Sequence, residues 1–121
     1  MTLGLHALTF DCADAVVLGE FWAQALREEL DPGAGKQFAS IGLQDFGRPG
    51  PGWCFVQVPE GKTAKNRMHP DLITPDLEAE VERLVDLGAS WKADVEMGGM
   101  RWTTLLDPEG NEFDLVTWQP A

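Results

Sequence analysis

The chain has 121 residues, of which 44% are hydrophobic and 24% charged, and 20 acidic side chains against 9 basic ones give a net charge of −11. That length suits one domain with its own core, and the composition is that of a globular chain. So acidic a surface repels nucleic-acid phosphates and anionic lipid, which excludes nucleic acid and membrane as expected partners.

Leu5 to Cys12 alternates as a strand, with His6, Leu8, Phe10 and Cys12 on one face. Asp14 is placed to cap a helix running to about Glu29. Its apolar stripe is Val17, Leu18, Phe21, Trp22, Ala25 and Leu26. Asp31 to Lys36, with Pro32, Gly33 and Gly35, reads as a loop. Gln37 to Leu43 reads as a short strand, Phe46 to Gly52 as a Gly/Pro loop, and Trp53 to Val58 as a strand. Lys62 to Arg67 is the most basic stretch of the chain. It is either a solvated connector between two modules or a contributor to ligand or dimer contacts.

A second series follows. Met68 to Ile73 is strand-like; Thr74 can cap a helix with Pro75 at its first position. Leu77, Val81, Leu84, Val85 and Leu87 line one face, and Gly88 ends it. Strands are expected at Ser90–Val95, Arg101–Leu106 and Glu112–Thr117, with turns at Gly98-Gly99 and Pro108 to Asn111. The order βαβββ, given twice, predicts an α+β domain over 1–121. Module one spans 1–62, the linker 62–67 and module two 68–121. Two such modules complete one core by packing together.

Cys12 and Cys54, the only cysteines, lie in apolar strand-like runs, where a buried free thiol is ordinary; a disulfide between them stays open. The N-terminus lacks the basic-then-apolar pattern of a signal peptide, and no apolar run has the length of a membrane span. A reduced, cytoplasmic setting is the expectation.

Three segments resemble the vicinal oxygen chelate superfamily, in its small glyoxalase-like branch (glyoxalase, bleomycin resistance and dioxygenase type). They are Asp14 through Phe21-Trp22 to Leu26, Lys65-Asn66-Arg67-Met68-His69-Pro70-Asp71-Leu72, and Asp107-Pro108-Glu109-Gly110-Asn111-Glu112-Phe113-Asp114-Leu115. The resemblance implies two βαβββ modules whose sheets curl into a cup with the helices outside. It implies a small molecule bound in the cup, often on a divalent metal, and a homodimer. Metal-dependent lyase, isomerase or dioxygenase activity is one reading; a metal-free protein that binds a small, antibiotic-type ligand is the alternative. Arg27 departs from the family, which has a glycine at the end of this helix.

The resemblance places His69 and Asp114 at the metal positions of the second module, aspartate replacing the usual, longer glutamate. His6 and Gln57 are the first-module candidates, although aligning Asp14 with Asp76 sets Ala7 rather than His6 opposite His69. Imidazole nitrogen with carboxylate oxygen suits zinc, nickel, iron or manganese. Without metal, His69 with Asp71, Glu112 and Asp114 forms a candidate acid–base group. Trp53 and Trp102 are candidate pocket walls or plain core. Arg101 is a candidate for an anionic ligand group or a surface salt bridge.

Overall fold

Two aspartates fix where the helices begin. In a computed structural model that describes residues 2–118, Asp14 precedes α1 (Ala15–Leu26) and Asp76 precedes α2 (Leu77–Leu87). Each carboxylate accepts a hydrogen bond of 3.2 Å from the backbone N–H three residues on, Val17 and Ala79. An N-cap of this kind stabilises a helix by about 1 kcal/mol. The cap of α2 is therefore not Thr74, and Pro75 stands outside the helix. Thr74 instead accepts a 3.1 Å bond from the N–H of Asp76 and holds the capping residue.

The chain divides into two compact units, one ending at Gly61 and one beginning at Lys62. The outermost expected bounds, residue 1 and residues 119–121, lie outside the described residues. In the first unit β1 (Ala7–Cys12), α1, β2 (Phe38–Ile41) and β3 (Gly52–Gln57) give a sheet of order β1-β3-β2. In the second, β4 (Asp71–Ile73), α2, β5 (Ser90–Met97), β6 (Met100–Leu106) and β7 (Glu112–Trp118) give β4-β7-β6-β5. Both sheets are mixed. β1 pairs parallel with β3 and β4 parallel with β7, while the other pairings are antiparallel.

The first unit is βαββ, one strand short of the expected βαβββ among the described residues. The segment between α1 and β2 is where its fourth strand would lie. Pro32 and two glycines occupy it, and Asp31 ties it into a loop. The Asp31 carboxylate accepts from Ser40 Oγ at 2.7 Å and from the N–H groups of Gly42 and Leu43 at 3.0 Å. The segment's own bonds to β2 are isolated rather than a ladder: the Asp31 N–H donates to the Ser40 carbonyl at 2.8 Å and the Gly35 N–H to the Phe38 carbonyl at 2.9 Å.

Strand alternation and helical spacing meet in each core. In the first unit Trp22 is wholly buried, 4.9 Å from Trp53 and 5.6 Å from Phe10 between ring centroids. Burying an indole of that size contributes on the order of 5 kcal/mol of transfer free energy. Gly19 allows the close approach: a Cβ there would sit 3.0 Å from Leu30 and 3.2 Å from Ala39. In the second unit Leu84 of α2 is buried, as are Leu105, Phe113 and Leu115 on alternate positions of β6 and β7.

The helix ends differ. Gly88 follows α2 with φ 125°, whereas Arg27 follows α1 with φ 56° and ψ 43°. Each residue's N–H bonds back to carbonyls of the last turn. Arg27 thus adopts the left-handed cap that glycine takes at least cost.

Candidate metal and ligand site

The face of the second sheet opposite α2 carries the polar residues of β4 and β7. Asp71 and Asp114 are register partners across the parallel pair, so both carboxylates project from one face. Asp114 is fixed from both sides. Its N–H donates to the Pro70 carbonyl at 3.0 Å, and its Oδ1 accepts from Thr104 Oγ1 of β6 at 2.6 Å. His69 enters just before Pro70, and proline restricts the residue preceding it to extended backbone. The His69 Nδ1 lies 2.9 Å from Asp71 Oδ1 and 3.7 Å from Asp114 Oδ2.

One donor atom from each of His69, Asp71 and Asp114 falls within 4.8 Å of the others. A nitrogen and two carboxylate oxygens this close form a donor set suited to zinc, iron, nickel or manganese. The same geometry orients the ring. With its proton on Nδ1, His69 donates to Asp71 and keeps a free lone pair on Nε2. The Asp114 side chain is 14% exposed and that of His69 39%, so the site has one sheltered and one open side. It opens into a pocket of about 630 Å³ with Met100, Trp102 and Val116 as its apolar wall.

Glu112 lies two residues before Asp114 on the same face and also lines the pocket, yet it is only 4% exposed. The ammonium groups of Lys65, Lys62 and Lys92 stand 3.0, 3.3 and 3.9 Å from its oxygens. The Asn66 N–H donates to it at 3.4 Å, and the Glu112 N–H donates to the Asn66 side chain at 3.1 Å. Burial pushes this carboxyl up, but Lys65, the Asn66 N–H and Lys62 together hold it down at about 2. Glu112, a candidate acid–base residue from the sequence, is ionised at neutral pH and anchors these lysines and Asn66. The basic segment 62–67 is correspondingly no free connector, because Lys62, Lys65 and Asn66 are docked on Glu112.

The turn before β7 explains the Asp-Pro-Glu-Gly-Asn motif. The buried Asp107 carboxylate accepts from the N–H groups of Glu109 and Asn111, both at 2.9 Å, and from the Asn111 amide. Gly110 completes the turn at φ 86°. This rigid corner sets the phase of β7, hence the face on which Glu112 and Asp114 emerge.

The first-unit candidates are placed differently. Trp53 is buried in the core of the first unit, its ring tilted against that of Trp22 of α1. Gln57 shares that face by alternation, and its amide donates to the Ala13 carbonyl at 3.0 Å. His6 precedes β1, and its ring stacks on Phe46 at 5.4 Å. Counting back from the two N-caps, Ala7 and Thr9 correspond to His69 and Asp71. Cys54, the register partner of Thr9, corresponds to Asp114. The repeated positions in the first unit therefore carry a methyl, a hydroxyl and a thiol. Burial, the largest influence, and Asp31 push the Cys54 thiol up, against a hydrogen bond from Thr9.

Trp102 does line the pocket. Arg101, its neighbour on β6, points to the α2 face and pairs with Glu78 at 2.9 Å, the salt-bridge reading of the sequence. Thr104 and Lys92 were not anticipated. Thr104 stands opposite Asp114 in the antiparallel register, so correct strand alignment would have found it. Lys92 depends on a β-bulge that has no local sequence signal.

The family model for the glyoxalase-like domain matches residues 7–116. No curated protein matches. Solved structures share the fold. A glyoxalase/bleomycin resistance protein/dioxygenase family enzyme from Burkholderia phytofirmans PsJN superposes with a TM-score of 0.77 at 17% identity, over 97% of this chain and 100% of that one. The fosfomycin resistance protein FosX from Listeria monocytogenes gives 0.75 at 17%, over 98% and 96%. The oxidase ChaP-H2 gives 0.64 at 17%, over 99% and 96%. No helix of the described residues is long and apolar enough to cross a membrane.

Proposed function

Because this chain belongs to the glyoxalase-like domain family, we propose that its second unit binds a small molecule through a divalent ion held by His69, Asp71 and Asp114. The observation that carries this reading is the convergence of those three donors within 4.8 Å at the mouth of a pocket. Such an ion polarises a bound carbonyl or hydroxyl oxygen. The protein's own residues do the rest. Thr104 orients the Asp114 carboxylate, and Met100 and Trp102 exclude water from one wall. The reaction class is that of the family's lyases, isomerases or dioxygenases, acting on a substrate with adjacent oxygens.

A second reading, a metal-free ligand-binding protein of the same cytoplasmic kind, is favoured by one contact. The Nδ1 of His69 is already engaged by Asp71 at 2.9 Å, which leaves Nε2 for a ligand proton.

Metal content of tag-free protein separates the two, with His69→Ala and Asp114→Ala alongside. About one equivalent of a transition metal, lost in both variants, supports the chelate reading. No metal after incubation with zinc, nickel, iron and manganese removes it and leaves the metal-free reading. Light scattering on the same preparation tests the homodimer expected from the family, by a mass twice that of the chain.

A further inference from the structure

The pocket around the His69 group has an unequal charge distribution along its edge. The chain has only 9 basic residues against 20 acidic ones, yet three lysines gather on one carboxylate. Lys65, Lys62 and Lys92 all reach Glu112 within 4 Å. One glutamate compensates one ammonium, and the other carboxylates of the pocket, Asp71 and Asp114, belong to the candidate metal group. Two of the three, Lys65 and Lys92, line the pocket, and their side chains are 68% and 45% exposed. They are accessible to a ligand in a way that Glu112, 5% exposed, is not.

Lys92 is there because the strand is irregular. The pairing of β5 with β6 shifts between Trp91 and Ala93. In a regular strand Lys92 and Ala93 would point to opposite faces. Here both line the same pocket, while Trp91 and Asp94 line the groove on the α2 side. A bulge that turns a charged side chain towards a pocket is a recurrent device next to binding sites. Lys65 is positioned by an independent element, the 62–67 segment clamped onto Glu112 and Asn111.

We infer that Lys65 and Lys92 form an anion-recognition edge, and that the ligand of this pocket is a small organic acid. Its carboxylate or phosphate meets the two ammonium groups while its remaining oxygens face His69, Asp71 and Asp114. The inference rests on the reading that this pocket binds a small molecule, and it adds the chemical class. Electrostatics agree in sign. A divalent ion would neutralise Asp71 and Asp114, and Lys65 and Lys92 would then face Glu112 alone, making the occupied pocket net positive. Charge-assisted hydrogen bonds from two lysines favour an anion over its neutral isostere by about tenfold or more.

Calorimetric titration of the full chain with glycolate and with glycolamide tests this, with and without manganese. Lys92→Met is the principal variant. Its ammonium lies farthest from Glu112 and is half exposed, so its removal leaves the clamp intact. Lys65→Met is the second variant, and Lys92→Arg the charge-preserving control. Glycolate binding to the parent protein, weakened about tenfold in Lys92→Met and retained in Lys92→Arg, is the expected result. Glycolamide should bind weakly and be indifferent to the lysines. Manganese affinity should be unchanged in Lys92→Met. Equal glycolate affinity in parent and Lys92→Met overturns the inference, as does equal affinity for glycolamide or no glycolate binding at all. Failure of manganese to bind counts against the ion proposed above. The ratio of glycolate affinities between parent and Lys92→Met in metal-free protein then decides the lysine edge, and a ratio near one overturns it.

Discussion

Replacing Glu112 by glutamine removes a charge while keeping the side chain's size and one acceptor for the Asn66 N–H. The carboxyl is held at about 2 in the folded chain against an ordinary 4.5, which links ~3 kcal/mol of stability to its ionisation. Lys65 is 68% exposed and Lys62 29%, and solvent screening of those partners reduces the figure to ~2 kcal/mol. The folded value is depressed, so this stability is fully present above pH 4.5 and is lost as pH falls towards 2. Glu112→Gln is therefore expected to lose ~2 kcal/mol at pH 7. Its deficit relative to the parent should shrink as both are taken down through pH 4.5. Urea unfolding between pH 7 and pH 3, followed by tryptophan fluorescence, measures both curves. A deficit that stays constant across that range would refute the ion-pair account, because packing losses do not titrate. A deficit below ~0.5 kcal/mol at pH 7 would refute it equally, placing Glu112 among ordinary surface pairs.

Further outcomes are expected elsewhere. Thr104→Val removes the 2.6 Å bond to Asp114 and should weaken transition-metal binding by roughly 10-fold, measured by competition with a chelating dye, with little change in unfolding midpoint. Arg27→Gly relieves a non-glycine residue at φ 56°. The gain in the folded state is partly offset by unfolded-chain entropy, giving a net stabilisation of ~0.5 kcal/mol in urea titrations. Asp31→Asn should cost ~2 kcal/mol at pH 7, since the Asp31 carboxylate accepts three bonds and an amide oxygen accepts them less well. Burial raises the Asp31 carboxyl, but Leu43, Ser40, Gly42 and Arg48 lower it further. The parent's advantage is therefore present above about pH 3.8 and declines below it.

The features legible in the sequence are those with local causes. The stripe from Val17 to Leu26 and the face of Leu77, Leu84 and Leu87 announce helices, because 3.6-residue spacing is a property of the segment itself. The Asp107 turn is equally local, and so the face of β7 carrying Asp114 could be foreseen. The phase of β1 and β3 could be foreseen too, but its consequence could not. Whether the Phe10–Trp53 side or the Thr9–Cys54 side meets α1 depends on Trp22, a partner many residues away. That choice turns Gln57 away from the Ala7–Thr9–Cys54 face. The lysines around Glu112 were out of reach for another reason. They come from three separated positions, one of them turned by a bulge, and no spacing rule connects residues 62, 65, 92 and 112. The missing fourth strand of the first unit was visible only as a Pro/Gly loop, and the expectation of an exact repeat overrode it.

The group of His69, Asp71 and Asp114 matches Ala7, Thr9 and Cys54, so equivalent positions of the two units carry different chemistry. Substitutions in the core of the first unit must preserve volume around Trp22, Trp53 and Phe55. On the proposed reading, those in the second must also preserve charge, donor geometry and the pitch of a bulged strand. On that reading an engineer seeking new ligand chemistry would keep the first half as a chassis and randomise the second. One seeking heat tolerance would do the reverse.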